Sequence, residues 1–167
     1  MMLLLPMLVA APPPMIQLPP PVSINVRGRN VPMTPTRALA AGMVRLRPEE
    51  AVIKASEAGS PGVVGVFDLS VVIANEVDRR IFLGTQPDYR DQRNLAIAIE
   101  PDAFRGLMSR YGAPIVDKLR GKHLLVIGKA VPVKISINDE LGRPTGKYYF
   151  QTHVAVTHPE QIEIIGD

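Results

Sequence analysis

The sequence predicts a mainly β fold: a small closed sheet of five strands with one helix between the third and fourth. Three observations point to it. Apolar, β-branched runs separated by polar turns fill the chain from Val63 to Ile99, the pattern of successive short strands. An amphipathic segment then repeats apolar residues at helical spacing from Phe104 to Tyr111. After it, two long runs, 124–137 and 147–157, flank one polar turn, as in an extended hairpin.

The N-terminal region precedes this pattern. Met1 to Ala11 has the apolar core and small-residue end of a secretory signal. No Lys or Arg precedes the run, Pro6 interrupts it and Pro12 would follow the cut. It is too short for a bilayer span, which needs roughly 20 apolar residues. Export to the periplasm or medium is expected, with a cytoplasmic extension as the alternative. Residues 12–47 carry repeated prolines and five arginines (27, 29, 37, 45, 47) without an acid from 27 to 47. Proline removes amide donors and favours extended chain, so a basic linker or arm is expected, with a short strand possible near Val22–Val26. Pro48 to Gly59 reads as a helix, with proline in the first turn, acids at the positive end of the dipole and a glycine stop.

The main domain is expected over 62–167. Its first strand runs from Val63 to Ala74 and can bend at Gly65; a turn at 75–79 leads to the second, Arg80–Gly84. Leu95, Ile97 and Ile99 alternate with Ala96 and Ala98, so both faces of the third strand should be buried. Pro101–Gly112 forms the helix, with a further helical turn near Pro114–Leu119. Leu124 to Ile137 forms the fourth strand, as one long strand or two joined at Gly128, and Lys147–Thr157 the fifth; Ile162–Ile165 adds a last short strand. Helix between strands three and four of a five-stranded barrel is the order of the OB-fold, and glycine kinks let long strands serve two sides of a closed sheet.

The residues also carry a resemblance. Val64-Gly65-Val66-Phe67, Ile81-Phe82-Leu83-Gly84, Asp88-Tyr89-Arg90-Asp91, Asn94-Leu95, Leu119-Arg120-Gly121-Lys122 and Val126-Ile127-Gly128-Lys129 resemble bacterial OB-fold domains of the anticodon-binding or nucleic-acid-binding-like class, many in uncharacterised exported proteins. The resemblance implies the fold more specifically than it implies a ligand.

Formal charge is only +3, but nine bases face three acids between Arg105 and Lys147, a stretch suited to phosphates or another polyanion. The binding candidates are Lys134, Lys147, Tyr149, Gln151 and His153, expected on one hairpin face, with Tyr89 and Arg90 at its edge. Tyrosine offers a stacking surface and Arg90 a planar phosphate donor. Tyr148 and Phe150 are expected in the core. The loop 85–94 balances acids and bases, so it is read first as a lock, with Asp88 or Asp91 accepting backbone amides. The sequence has no cysteine, which excludes disulfides and thiol chemistry. His123, His153 and His158 show no metal-ligand spacing, so no metal and no cofactor are expected. No catalytic set is evident either. The leading reading is a non-enzymatic module binding single-stranded nucleic acid or another polyanion. The alternatives are an exported envelope scaffold or protein-interaction domain with an envelope partner, and a hydrolase with an unrecognised site.

Overall fold

The computed structural model describes residues 23–26, 29–77, 79–139 and 141–166. The signal-like segment 1–11 and the proline-rich stretch up to residue 22 lie outside the described residues. Strands β1 (Ser23–Val26) and β2 (Arg29–Pro32) pair with each other as a separate antiparallel ribbon.

The remaining elements are α1 (Pro35–Ala40), β3 (Arg45–Leu46), α2 (Pro48–Ala58), β4 (Val63–Ser70), β5 (Ile73–Val77), β6 (Arg80–Gly84), β7 (Leu95–Ile99), α3 (Pro101–Tyr111), α4 (Ile115–Leu119), β8 (His123–Asn138), β9 (Pro144–Val156) and β10 (Ile162–Gly166). The sheet follows the path β3-β4-β8-β9-β7-β6-β5, with β10 added on β8. All pairings are antiparallel except β3 with β4 and β7 with β9. β4 and β5 are neighbours in the chain yet lie near opposite ends of the path. The sheet therefore curls back on itself, a mainly β architecture consistent with an OB-like barrel.

The strand count differs from five, and the hydrogen bonds give the reason. The expected first strand splits at 71–72, where the Val71 amide donates to the Lys122 carbonyl and the Val72 amide to the Gly84 carbonyl, both at 2.9 Å. Here the chain leaves β8 and joins β6, so the expected strand is divided in two at these valines. Residues 75–77, expected in a turn, belong to β5. β3 and β10 add further strands.

Part of the expected arm also folds. Thr34 caps α1 by accepting the Arg37 amide, and Pro35 opens the helix, where its missing N–H costs nothing. Met33 and Ala38 are buried with Val66, Leu125 and Ile127 in a small second core outside β4 and β8. Residues 33–47 are thus attached to the sheet, because α1 supplies the apolar cover that this outer face lacks.

Inside the curl, alternate residues such as Phe67, Leu83, Ile97, Val126 and Val154 form the main core, closed by Ala51 and Ala55 of α2 and Ala103 and Leu107 of α3. Strand β7 is buried on both faces. Gly65 and Gly128 are cross-strand partners. A Cβ on Gly128 would stand 2.6 Å from the Val154 Cγ1, an overlap that packed interiors resolve only by moving backbone or side chains. Gly128→Ala should therefore destabilise by about 1–3 kcal/mol, measured by urea denaturation; an unchanged midpoint would refute the close approach.

Candidate functional site

The pairing of β8 with β9 reaches far beyond the rest of the sheet. β7 pairs only with residues 152–156 of β9, whereas β8 pairs with β9 as far as Asn138 and Pro144. The distal half of this hairpin is a two-stranded projection, and its two faces differ.

On one face Lys134 stands directly opposite Phe150, and Ser136 opposite Tyr148. Tyr148 and Phe150 are each 53% exposed. Both are expected in the core from the sequence; among the described residues no third strand or helix lies over this face of the projection, and the rings stay exposed. Their rings meet edge to face with centroids 5.7 Å apart and an interplanar angle of 84°. The Lys134 ammonium lies 4.0 Å from the Tyr148 ring centroid, within cation–π range. The result is an exposed aromatic pair with a cation across it. Lys134 accordingly parts company with Tyr149, Gln151 and His153, since opposite residues in an antiparallel pair share a face. Lys147 is exposed, immediately before Tyr148.

The other face is occupied by the 85–94 loop. The Gln151 amide nitrogen donates to the Tyr89 carbonyl, and the Gln151 Oε1 lies 2.7 Å from the His153 Nε2. Tyr149 is opposite Ile135, half-covered; burial, with Tyr89 beside it, pushes its phenol pKa up. Arg90 Nε donates to the Tyr89 hydroxyl at 3.0 Å, and its guanidinium lies 5.1 Å from the Tyr89 ring centroid. Tyr89, Arg90, Tyr149, Gln151 and His153 are therefore brought together, but Gln151 and His153 are buried and unavailable to a ligand. Among the described residues the ring Nδ1 of His153 has no hydrogen-bond partner, and burial depresses the pKa of this histidine to about 4.

Within the loop, Asp88 accepts the Arg90 amide at 2.9 Å, and Asp91 accepts the Arg93 amide at 2.9 Å and pairs with its guanidinium at 2.7 Å. The Arg93 hydrogen bonds hold the Asp91 pKa down at about 2. The central fastener is a residue sequence reasoning passed over. Buried Asn94 accepts the Thr85 and Gln86 amides at 2.8 and 3.2 Å and donates to the Tyr89 carbonyl at 3.3 Å. Asparagine just before an apolar strand is a turn signal, and that was the available clue.

A second polar constellation lies at the start of β8. Ser70 and His123 are cross-strand partners, with Asp68 two residues along β4 on the same face. The Ser70 Oγ is 3.1 Å from the His123 Nδ1; the His123 Nε2 meets the Asp68 Oδ1. Arg45 holds the other Asp68 oxygen through Nε at 2.7 Å and Nη2 at 2.5 Å. Burial opposes ionisation of Asp68, but the His123 and Arg45 hydrogen bonds outweigh it and lower its pKa. No sequence spacing announces this group, because only strand register joins Asp68 and Ser70 to His123. Among the described residues no group of three or more His, Asp or Glu side chains could hold a metal, and no helix is long and apolar enough to cross a membrane.

No protein-family model and no curated protein matches the chain. Among solved structures, it is similar to an aspartyl-tRNA synthetase from Entamoeba histolytica, with 17% identity over 90% of this chain and 28% of that one, TM-score 0.46. A putative aspartyl-tRNA synthetase from Leishmania major Friedlin gives 11% identity over 75% and 21%, TM-score 0.42. The asparaginyl-tRNA synthetase from Pyrococcus horikoshii gives 16% over 74% and 23%, TM-score 0.32. The chain spans less than a third of the length of each.

Proposed function

We propose that the chain is a binding module with an OB-type barrel, and that the ligand of its hairpin is single-stranded nucleic acid. The observation that carries the reading is the exposed Tyr148–Phe150 pair with Lys134 across the projecting hairpin. Aromatic rings held on a rigid strand stack on any unpaired base, and a cation beside them answers the phosphate backbone. A duplex keeps its bases stacked inside, so single strands are favoured. Lys147 extends the positive charge along the hairpin, and half-exposed Tyr89 with Arg90 borders it from the loop side.

Binding of a fluorescently labelled oligonucleotide, followed by anisotropy across salt concentrations, tests this. Affinity should fall steeply with salt. Tyr148→Ala and Phe150→Ala should each weaken binding by about tenfold, corresponding to stacking worth roughly 1–3 kcal/mol per base. Lys134→Gln should reduce the slope of log affinity against log salt by about one. Absence of binding at low ionic strength would refute the reading.

A further inference from the structure

The hairpin reading leaves the other end of β8 unexplained. There Asp68, His123 and Ser70 form an unbroken hydrogen-bonded line of carboxylate, imidazole and hydroxyl. We infer that Ser70 is a base-activated nucleophile, and that this surface carries an acyl-transfer activity toward exposed carboxylic esters.

The order of groups sets the chemistry. Ionised Asp68 accepts the Nε2–H of His123, which orients the ring so that its Nδ1 faces the Ser70 hydroxyl. A nucleophile, its base and a third group orienting the base are the parts that activate a serine hydroxyl. The two ring nitrogens exchange the places they hold in the best-known serine hydrolases, which leaves the roles intact, since either nitrogen is a base once the other is held by a carboxylate. Arg45 occupies the far Asp68 oxygen and keeps the carboxylate aimed. Strand register makes the placement rigid: Ser70 is opposite His123 on β4 and β8, and His123 is opposite Gly166 on β10. Ser70 is exposed, so an ester on a flexible substrate reaches its oxygen without opening the fold.

In the reaction, the Ser70 Oγ bonds to the ester carbonyl carbon and its proton moves to the His123 Nδ1. The carbon–oxygen bond to the alcohol breaks, and the departing oxygen takes that proton. Water then attacks the acyl-serine with His123 again as base, releasing the acid and restoring the Ser70 hydroxyl. No electrons are exchanged with any oxidant or reductant.

The test treats the full chain with a fluorophosphonate probe, whose phosphorus bonds to the serine oxygen as fluoride leaves. The expected result is an adduct that peptide mass spectrometry places on Ser70 and that disappears in Ser70→Ala. His123→Gln should slow labelling by about 10²-fold or more, the usual reach of a general base. Asp68 is a positioning residue, so Asp68→Asn should lower the maximal labelling rate without changing the probe concentration that gives half of it. Circular dichroism melts confirm that each variant is folded. Should His123→Gln fail to fold, wild-type hydrolysis of p-nitrophenyl acetate compared with Ser70→Ala decides: a loss in Ser70→Ala supports the inference, and equal rates overturn it. No adduct on Ser70 of the folded wild type, or labelling that folded His123→Gln leaves within threefold, overturns it as well.

Discussion

Asn94→Ala should lower the stability of the fold by about 2–4 kcal/mol, the range for stripping partners from buried polar groups. Asn94 is 1% exposed, and its side chain makes three contacts with main chain across the loop. Alanine would leave the Thr85 and Gln86 amides without their acceptor at the point where β6 ends. The Thr85 hydroxyl, which accepts the Leu95 amide at 3.0 Å, also lies against the Asn94 oxygen at 3.5 Å, so the start of β7 would loosen with it. Asn94→Asp keeps the acceptor and loses the donor to Tyr89, and should cost less. Urea denaturation of the three proteins checks this ordering. A loss under about 1 kcal/mol for alanine would mean that the loop is held elsewhere, for instance by Gln151 alone.

This fastening changes the role of the loop. Its charged residues largely satisfy one another: Asp91 with Arg93, Asp88 with the Arg90 amide, Arg90 with Tyr89. Little of that charge is free to meet a ligand. The loop instead covers the Tyr149, Gln151 and His153 side of the hairpin, which leaves the Tyr148 and Phe150 side open. One segment thereby decides which face of the projection is exposed.

Local pattern made several elements legible in the sequence. β6 and β7 occupy the expected residues, and α2 and α3 lie where proline starts and glycine stops placed them. Such signals depend on neighbours in the chain and need no tertiary information. Alternation also assigned Tyr148 and Phe150 to one face correctly, yet it could not say how far β9 outruns β7. Burial at those positions depends on whether a third element lies over them, a fact of register. The same limit hid Lys134's true neighbours and the Asp68, His123 and Ser70 line. α1 was within reach: Thr34 before Pro35 is a capping signal followed by a favoured first helical residue, masked by the density of prolines around it.

Acid should destabilise the fold well above the pH at which its carboxylates titrate, and His153 is the reason. The ring is 4% exposed, its Nδ1 has no partner among the described residues, and burial pushes its pKa in the folded state down to about 4 from 6.5. As pH falls through 6.5 the unfolded chain takes up a proton that the folded chain refuses until about pH 4. The unfolded state binds more protons across that window, so stability declines throughout it and levels off, for this group, below the folded pKa. The full difference is about 3 kcal/mol, at roughly 1.4 kcal/mol per pKa unit. Asp91 works in a separate window: its folded pKa of about 2, below the ordinary 3.8, makes stability fall only as pH drops from about 3.8 to 2. Denaturation at pH 7, 5.5 and 4.5 therefore isolates the histidine, and His153→Gln, which keeps a polar side chain but cannot take the proton, should flatten the decline. Stability that stays level from pH 7 to 4.5 in the wild type would show that the ring finds a partner for its second nitrogen. The loop would feel a change there first, because Gln151 binds the His153 ring with one end of its amide and the Tyr89 carbonyl with the other.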